Sequence, residues 1–126
     1  MIFIRRQLFF MHKIHRKGTY YMEAYLKQTG GVLYIRLPKE VDHHNAEEIR
    51  RKAARILEKG TINKVLFDFA ETEFMDSSGV GVIMGRYRQV RYVGGSVSVL
   101  HVNSRMDRLL RMSGIYQWIE KKEDES

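Results

Sequence analysis

NKVLFDFAETEFMDSSGVGVIMGRYRQV, residues 63–90, contains the switch from strand to helix spacing on which the fold turns. Val65, Phe67 and Phe69 alternate, with Leu66 on the opposite face, which predicts a strand covered on both sides over residues 63–70. After Asp76 the apolar spacing becomes helical. Val80, Ile83, Met84, Tyr87 and Val90 form one stripe, and the helix is expected to run to about Val93, ended by Gly94 and Gly95. The opposite face carries Ser78, Gly81, Val82, Gly85 and Gln89, a flat and partly apolar surface beside two serines.

The same two periods recur on either side. EAYLKQTGGVLYIRL, residues 23–37, reads as two strands around a turn at Thr29, Gly30 and Gly31, and Pro38, the only proline, marks the exit. In DHHNAEEIRRKAARILEKG, Asn45 followed by Glu48 resembles a capping box, and Ile49, Ala53, Ile56 and Leu57 share one helical face. Glu47–Arg51 and Glu48–Lys52 are favourable i,i+4 pairs, and Gly60 is a stop signal. SVSVLHV is a further strand. SRMDRLLRMSG reads as a helix capped by Ser104, with Met106, Leu109 and Leu110 on one face and Gly114 as its stop. IYQWIE reads as a short last strand and KKEDES as a solvated tail. Strand–helix–strand alternation after an opening antiparallel hairpin implies parallel pairing with right-handed crossovers. The expected domain is a single α/β unit over residues 22–126, with a mostly parallel sheet of four to five strands and crossover helices.

The chain has 126 residues, 44% of them hydrophobic, a composition that can bury a core. It has no cysteine, which excludes disulfides and thiolate metal sites. The net charge of +7 suggests nucleic acid, but its distribution argues otherwise. Residues 1–21 hold Arg5, Arg6, Lys13, Arg16 and Lys17 and no acid, so the rest carries 17 of the 22 basic residues against 15 acidic ones. The leader has neither the unbroken apolar stretch of a spanning helix nor the pattern of a signal peptide. It is expected to be disordered or to come from a misplaced start, with translation beginning at Met22. A purine-rich codon run for Arg16-Lys17-Gly18 ahead of Met22 would suit a ribosome-binding site.

The serines at 77 and 78 admit three roles: a helix cap, a nucleophile or a phosphate acceptor. A nucleophile elbow needs Gly-x-Ser-x-Gly, and Met75 and Asp76 precede Ser77 instead. No phosphate-cradling glycine loop is present. His43 and His44 are adjacent, so they are expected to point apart, and they have no evident third metal ligand. Arg86, Arg88 and Arg91 read as a solvated face. Asp76 or Ser77 can cap the helix. A cap alone leaves the second hydroxyl and the glycines at 79, 81 and 85 unexplained, since glycine costs about 1 kcal/mol relative to alanine inside a helix. A docking surface with a phosphate switch at its edge accounts for these features together, because a helix N-terminus tolerates added negative charge and a partner closing over it does not.

FMDSSGVGVIMGRYRQV, EVDHHNAEEIR and RMSGIYQWI together resemble the bacterial anti-sigma factor antagonists, which have the STAS domain (sulfate transporter and anti-sigma factor antagonist). The Asp-His-His and Gly-Arg-Tyr elements are most similar to the sporulation antagonist of the sigma-F pathway; a general-stress antagonist with the same switch is the second candidate. The resemblance covers residues 23 to about 119. It implies a non-enzymatic cytoplasmic regulator, monomeric when free, with no cofactor, no direct nucleic-acid partner and no membrane span. The unphosphorylated form would bind an anti-sigma factor that is also a serine kinase and holds its nucleotide, releasing the sigma factor. Phosphorylation of Ser77, the serine after the aspartate, would end binding, and a PP2C-type phosphatase would restore it. The implied partner contacts are Glu40, Asp42, Asp76, Ser78, Gly81 and Val82. The rival from another class is an enzyme with Ser77 as nucleophile. The chain stops at KKEDES, where family members carry a further helix.

Overall fold

The computed structural model describes residues 7–16 and 19–123, with side-chain surroundings from Ala24 onward. Leader residues 1–6 and 17–18 and tail residues 124–126 lie outside the described residues.

A glycine turn organises the first half of the sheet. Gly30 takes φ +60°, a left-handed conformation that closes a tight hairpin. It joins β2 (Thr19–Thr29) to β3 (Val32–Arg36), with Thr29 opposite Val32. β2 opens upstream of Met22 and pairs antiparallel with β1 (Gln7–Arg16), so the sheet extends into the stretch read as a leader. After β4 (Glu40–Val41) come α1 (Ala46–Leu57), β5 (Lys64–Asp68), β6 (Phe74–Met75), α2 (Ser77–Val90), β7 (Ser96–Leu100), α3 (Ser104–Ser113) and β8 (Glu120–Lys121). The main sheet runs β1-β2-β3-β5-β7-β8. From β3 onward its pairs are parallel, as the alternation of elements predicts. β4 and β6 form a separate two-stranded parallel ribbon.

One face of the sheet holds the core. Leu26, Leu33, Ile35, Val65, Phe67, Val97 and Val99 are buried there with Ile49, Ala53, Ile56 and Leu57 of α1 and Met106 and Leu110 of α3. Burying each large apolar side chain contributes about 1.5–3 kcal/mol. The expectation that β5 is covered on both faces is corrected: its other face carries exposed Lys64 and half-buried Leu66, and is buried only at Asp68. Right-handed crossovers that step the same way from β3 to β8 place their helices on one side. On the other face Asp68 accepts hydrogen bonds from the Tyr34 hydroxyl and from the Ala70 amide (2.9 Å), and His101 Nδ1 lies 2.7 Å from its Oδ1. Burial pushes the Asp68 carboxyl up, but its hydrogen bonds to Tyr34, His101 and Ala70 outweigh that and hold it below the usual value.

Two local expectations change near the C-terminus. Asn103, not Ser104, caps α3, its side chain accepting from the Met106 amide at 2.8 Å. The stretch expected as one strand begins with a 3-10 turn, Ile115–Gln117, before β8. Trp118 is half exposed, its ring 6.1 Å from that of Tyr87, and Met112 is exposed.

Asp107 ties these short elements together. It accepts from Arg111 Nη2 (2.7 Å), the Tyr116 hydroxyl (2.7 Å) and Lys121 Nζ (3.2 Å). The Arg111 hydrogen bond, then those of Tyr116 and Lys121, lower its carboxyl to about 2. A depressed carboxylate stabilises the fold above its unfolded value of 3.8 and loses that contribution as pH falls toward about 2. Asp107→Asn should therefore lower the neutral-pH Tm by a few degrees, about 1 kcal/mol or less after solvent screening. In acid titrations followed by circular dichroism, the gap between variant and wild type should close across that window; a gap that stays constant contradicts the assignment.

Candidate functional site

The site is built where the β4–β6 ribbon meets the start of α2. Val41 and Met75, paired in the ribbon, are both buried, while their neighbours Glu40 and Phe74 face outward. The Asp76 amide donates to the Val41 carbonyl at 3.1 Å. The Asp76 backbone is extended, which frees its side chain to cap α2, with Oδ1 accepting from the Ser78 amide at 2.8 Å. Its other oxygen accepts from the His43 amide at 3.2 Å. A single carboxylate thus fastens the loop before α1 to the first turn of α2.

That loop is closed on itself. Asp42 Oδ1 accepts from the amides of His44 (2.9 Å) and Asn45 (3.3 Å). Asn45 Oδ1 accepts from the Asp42 amide (2.9 Å), and Asn45 Nδ2 donates to the Glu40 carbonyl (2.7 Å). The capping box expected from Asn45 and Glu48 is absent: the Asn45 side chain makes no cap bond, and Glu48 pairs with Arg51 and Lys52. Glu47 pairs with Arg50, not with Arg51 as expected. The expectation that His43 and His44 point apart is also corrected. They sit in a turn with ring centroids 3.9 Å apart, His43 beside Asp76 and His44 beside Asp42.

On α2, Ser77 and Gly81 are exposed and Ser78 is half-buried. Gly79 is there because nothing larger fits: a Cβ would stand 2.5 Å from Met75 Cγ. A Cβ at Gly81 would meet nothing within 4 Å. The helical wheel needs correction. Ile83 and Val90 are buried as expected, but Val82 is 4% exposed and belongs to the core, while Val80, Met84 and Tyr87 are only half-buried. The cause is α1, which packs against α2 on the Val82 side. Gln89 Nε2 donates to the Ala54 carbonyl (3.0 Å) and Arg86 Nη1 to the Arg50 carbonyl (3.4 Å), bridging the two helices. Arg86, expected on a solvated face, is 6% exposed. Its burial, then the Arg50 charge, bring the guanidinium down to about 10, against a smaller opposing pull from Glu47, and it stays a cation at neutral pH.

Between the helices lies a shallow cleft of about 270 Å³, with Ala46 and Val82 at its base and His43, Glu47, Arg50 and Ser78 around it. The structure therefore brings Glu40, Asp42, Asp76, Ser77, Ser78 and Gly81 into one neighbourhood and places Val82 beneath them. Sequence reasoning missed Phe74, which is 50% exposed between the buried Met75 and the loop before it. The missed signal was the local alternation of Phe74 with Met75 beside that of Glu40 with Val41.

With this geometry in view, the comparisons with known proteins are specific. The STAS domain model matches residues 23–126. The anti-sigma F factor antagonist of Paenibacillus polymyxa is 38% identical over 87 residues, 69% of this chain and 74% of that protein. The anti-sigma-B factor antagonist of Bacillus subtilis (strain 168) is 26% identical over 95 residues, 75% of this chain and 85% of that protein. Among solved structures, the Bacillus cell fate determinant SpoIIAA in the phosphorylated form superposes with a TM-score of 0.64 at 28% identity, covering 94% of this chain and 93% of that one. The chain belongs to the STAS domain family.

The two helix glycines should part company on mutation. Gly79→Ala should destabilise by about 1–3 kcal/mol through overpacking against Met75. Gly81→Ala should be neutral or stabilising by up to about 1 kcal/mol. Val82→Glu should destabilise the domain, because it forces a longer, charged side chain into the packed contact between the helices even with Arg86 one turn away. Thermal melts of the three variants check the assignment, and equal effects at 79 and 81 contradict it.

Proposed function

For this STAS domain we propose the role of an anti-sigma factor antagonist controlled by a phosphate on Ser77. The observation that carries it is Ser77 itself: exposed, directly after the Asp76 cap, at the first turn of a 14-residue helix beside the Glu40 and Asp42 loop. The similarity is greater to the sigma-F antagonist, at 38% identity, than to the sigma-B antagonist, at 26%, and the sigma-F pathway is the one proposed.

In the proposed cycle the unphosphorylated protein binds an anti-sigma factor through Glu40, Asp42 and the exposed start of α2, and the sigma factor is released. The anti-sigma factor is also a serine kinase. It transfers the γ-phosphoryl group of ATP to Ser77 Oγ, which loses its proton, and ADP remains. The new group adds about −1.5 to −2 charges. The positive end of the α2 dipole accommodates that charge within this chain, so the fold persists. A partner that closes over Ser77 must strip the phosphate of water, which is unfavourable unless it supplies matching donors. A PP2C-type phosphatase hydrolyses the ester and resets the cycle. The chemistry belongs to the partners, and this chain acts as a cytoplasmic monomer without a cofactor. Asp76 and Asn45 position the surface, and Val82 supports it from below. No helix among the described residues is long and apolar enough to cross a membrane.

Incubation with the host's anti-sigma factor kinase and ATP, followed by phosphosite mapping, should find one phosphate, on Ser77. A phosphate on Ser78 alone contradicts the proposal. Ser77→Asp should melt within a few degrees of wild type and bind the anti-sigma factor at least about tenfold more weakly, about 1.4 kcal/mol. An unfolded variant, or one that binds like wild type, counts against it.

A further inference from the structure

Arg86 is a buried cation that the fold leaves short of acceptors. It is 6% exposed, and its Nη1 donates to the Arg50 carbonyl at a long 3.4 Å. Its Nε has no acceptor, and among the described residues Nη2 has none either. The unfilled edge, Nε with Nη2, is the one that forks onto a carboxylate. A buried cation without a partner is unfavourable, and an apolar side chain could pack between α1 and α2 without that penalty. Helix packing therefore does not account for a guanidinium at this position.

The guanidinium lies against the α1–α2 cleft. Side chains on a helix lean toward its N-terminus, so Arg86 reaches back toward Val82, one turn earlier, at the base of the cleft. Arg50, whose carbonyl it meets, stands beside the same cleft. Gly81 keeps the space over Val82 open, since a Cβ there would meet nothing within 4 Å. The carboxylates nearby are already engaged. Glu47 accepts from Arg50 through both oxygens, and Asp76, outside the lining residues, holds the Ser78 and His43 amides and has the His43 ring 3.9 Å away. The Glu47–Arg50 pair is at the surface, its side chains 65% and 46% exposed, so it opens readily. Arg50 and Arg86 together stand against Glu47, which favours an incoming anion.

We infer that the α1–α2 cleft seats a carboxylate side chain of the anti-sigma factor, gripped by the open fork of Arg86 with Arg50 at the rim. The inference rests on the antagonist reading and deepens it, because the cleft is continuous with the Ser78 and Gly81 surface proposed for the partner. A carboxylate suits the seat better than an amide or a hydroxyl. Its charge offsets the desolvated cation, and its two oxygens match two parallel N–H bonds. The exposed Glu47–Arg50 pair yields at the rim as the carboxylate enters.

The test titrates purified anti-sigma F factor, held with ADP so that no phosphoryl transfer occurs, with wild type, Arg86→Met, Arg86→Lys and Arg50→Gln. Arg86→Met should melt at or above the wild-type Tm, because an apolar chain replaces an unpaired buried cation, and should bind about tenfold or more weakly. Arg86→Lys keeps the charge but loses the fork, and should bind at least about threefold more weakly. Arg50→Gln should weaken binding about threefold with Tm nearly unchanged, because its ion pair is exposed. In isotope-labelled wild type, the Arg86 Nε–H resonance should move downfield in the complex, a sign of a new acceptor that a merely structural role would not give. Arg86→Met binding within about twofold of wild type, or an Nε–H resonance unmoved in the complex, overturns this inference alone. If Arg86→Met does not fold, the wild-type resonance decides. Failure of wild type to bind at all overturns the antagonist reading and the inference with it.

Discussion

The Asp76 carboxylate is the constraint on which the surface depends. One oxygen holds the Ser78 amide and the other the His43 amide. These elements are far apart in sequence, and the clamp joins the ribbon, the α1–α2 contact and the Thr72 hydroxyl bond to the Pro38 carbonyl in fixing their separation. The clamp works because its base is rigid: Val41 and Met75 anchor the ribbon in the core, and Gly79 lets α2 settle onto Met75. Removing a capping carboxylate of this kind costs about 0.5–2 kcal/mol in stability. The larger consequence falls on geometry, because the loop bearing Glu40 and Asp42 would no longer be registered against Ser77.

Charge is divided between support and signal. Asp68 and Asp107 hold networks of tyrosine, histidine, arginine and lysine that fasten strand ends and the C-terminal turn. Arg86 is buried between α1 and α2 and bonded to the Arg50 carbonyl. None of these groups is exposed on the Ser77 surface. The proposed phosphate would act beside a helix start that is already capped and on a face the core does not use. A modification placed there alters what can dock more than what can fold.

The sequence made the sheet legible because strand and helix periods are written in its apolar residues. The hairpin at Gly30, the α1 stripe of Ile49, Ala53, Ile56 and Leu57, and the alternation of Val65 with Phe67 all appear as expected. The site was legible in position and not in detail. The α2 segment is apolar on several sides, so the sequence placed Val80 in the core stripe and Val82 on the outer face, and the location of α1 buried Val82 instead. Asn45 looked like a cap because Glu48 follows it at capping-box spacing. Its side chain was instead taken by the Glu40 carbonyl and the Asp42 amide, a tertiary competition that spacing cannot reveal. Ser104 lost the cap to Asn103 by one residue, a shift within the ordinary uncertainty of helix ends. Arg86 looked solvated because arginine usually is, and its burial follows from helix packing alone.

The central claim is that a phosphate on Ser77 changes the docking surface and leaves the fold as it is. The most direct measurement compares amide nuclear magnetic resonance spectra of the protein before and after stoichiometric phosphorylation. The account predicts shifts confined to residues 40–44 and 74–82, with the amides of β5 and β7 unmoved. Shifts spread through the central strands, or loss of dispersed signals, would contradict it by showing that the phosphate acts through the fold.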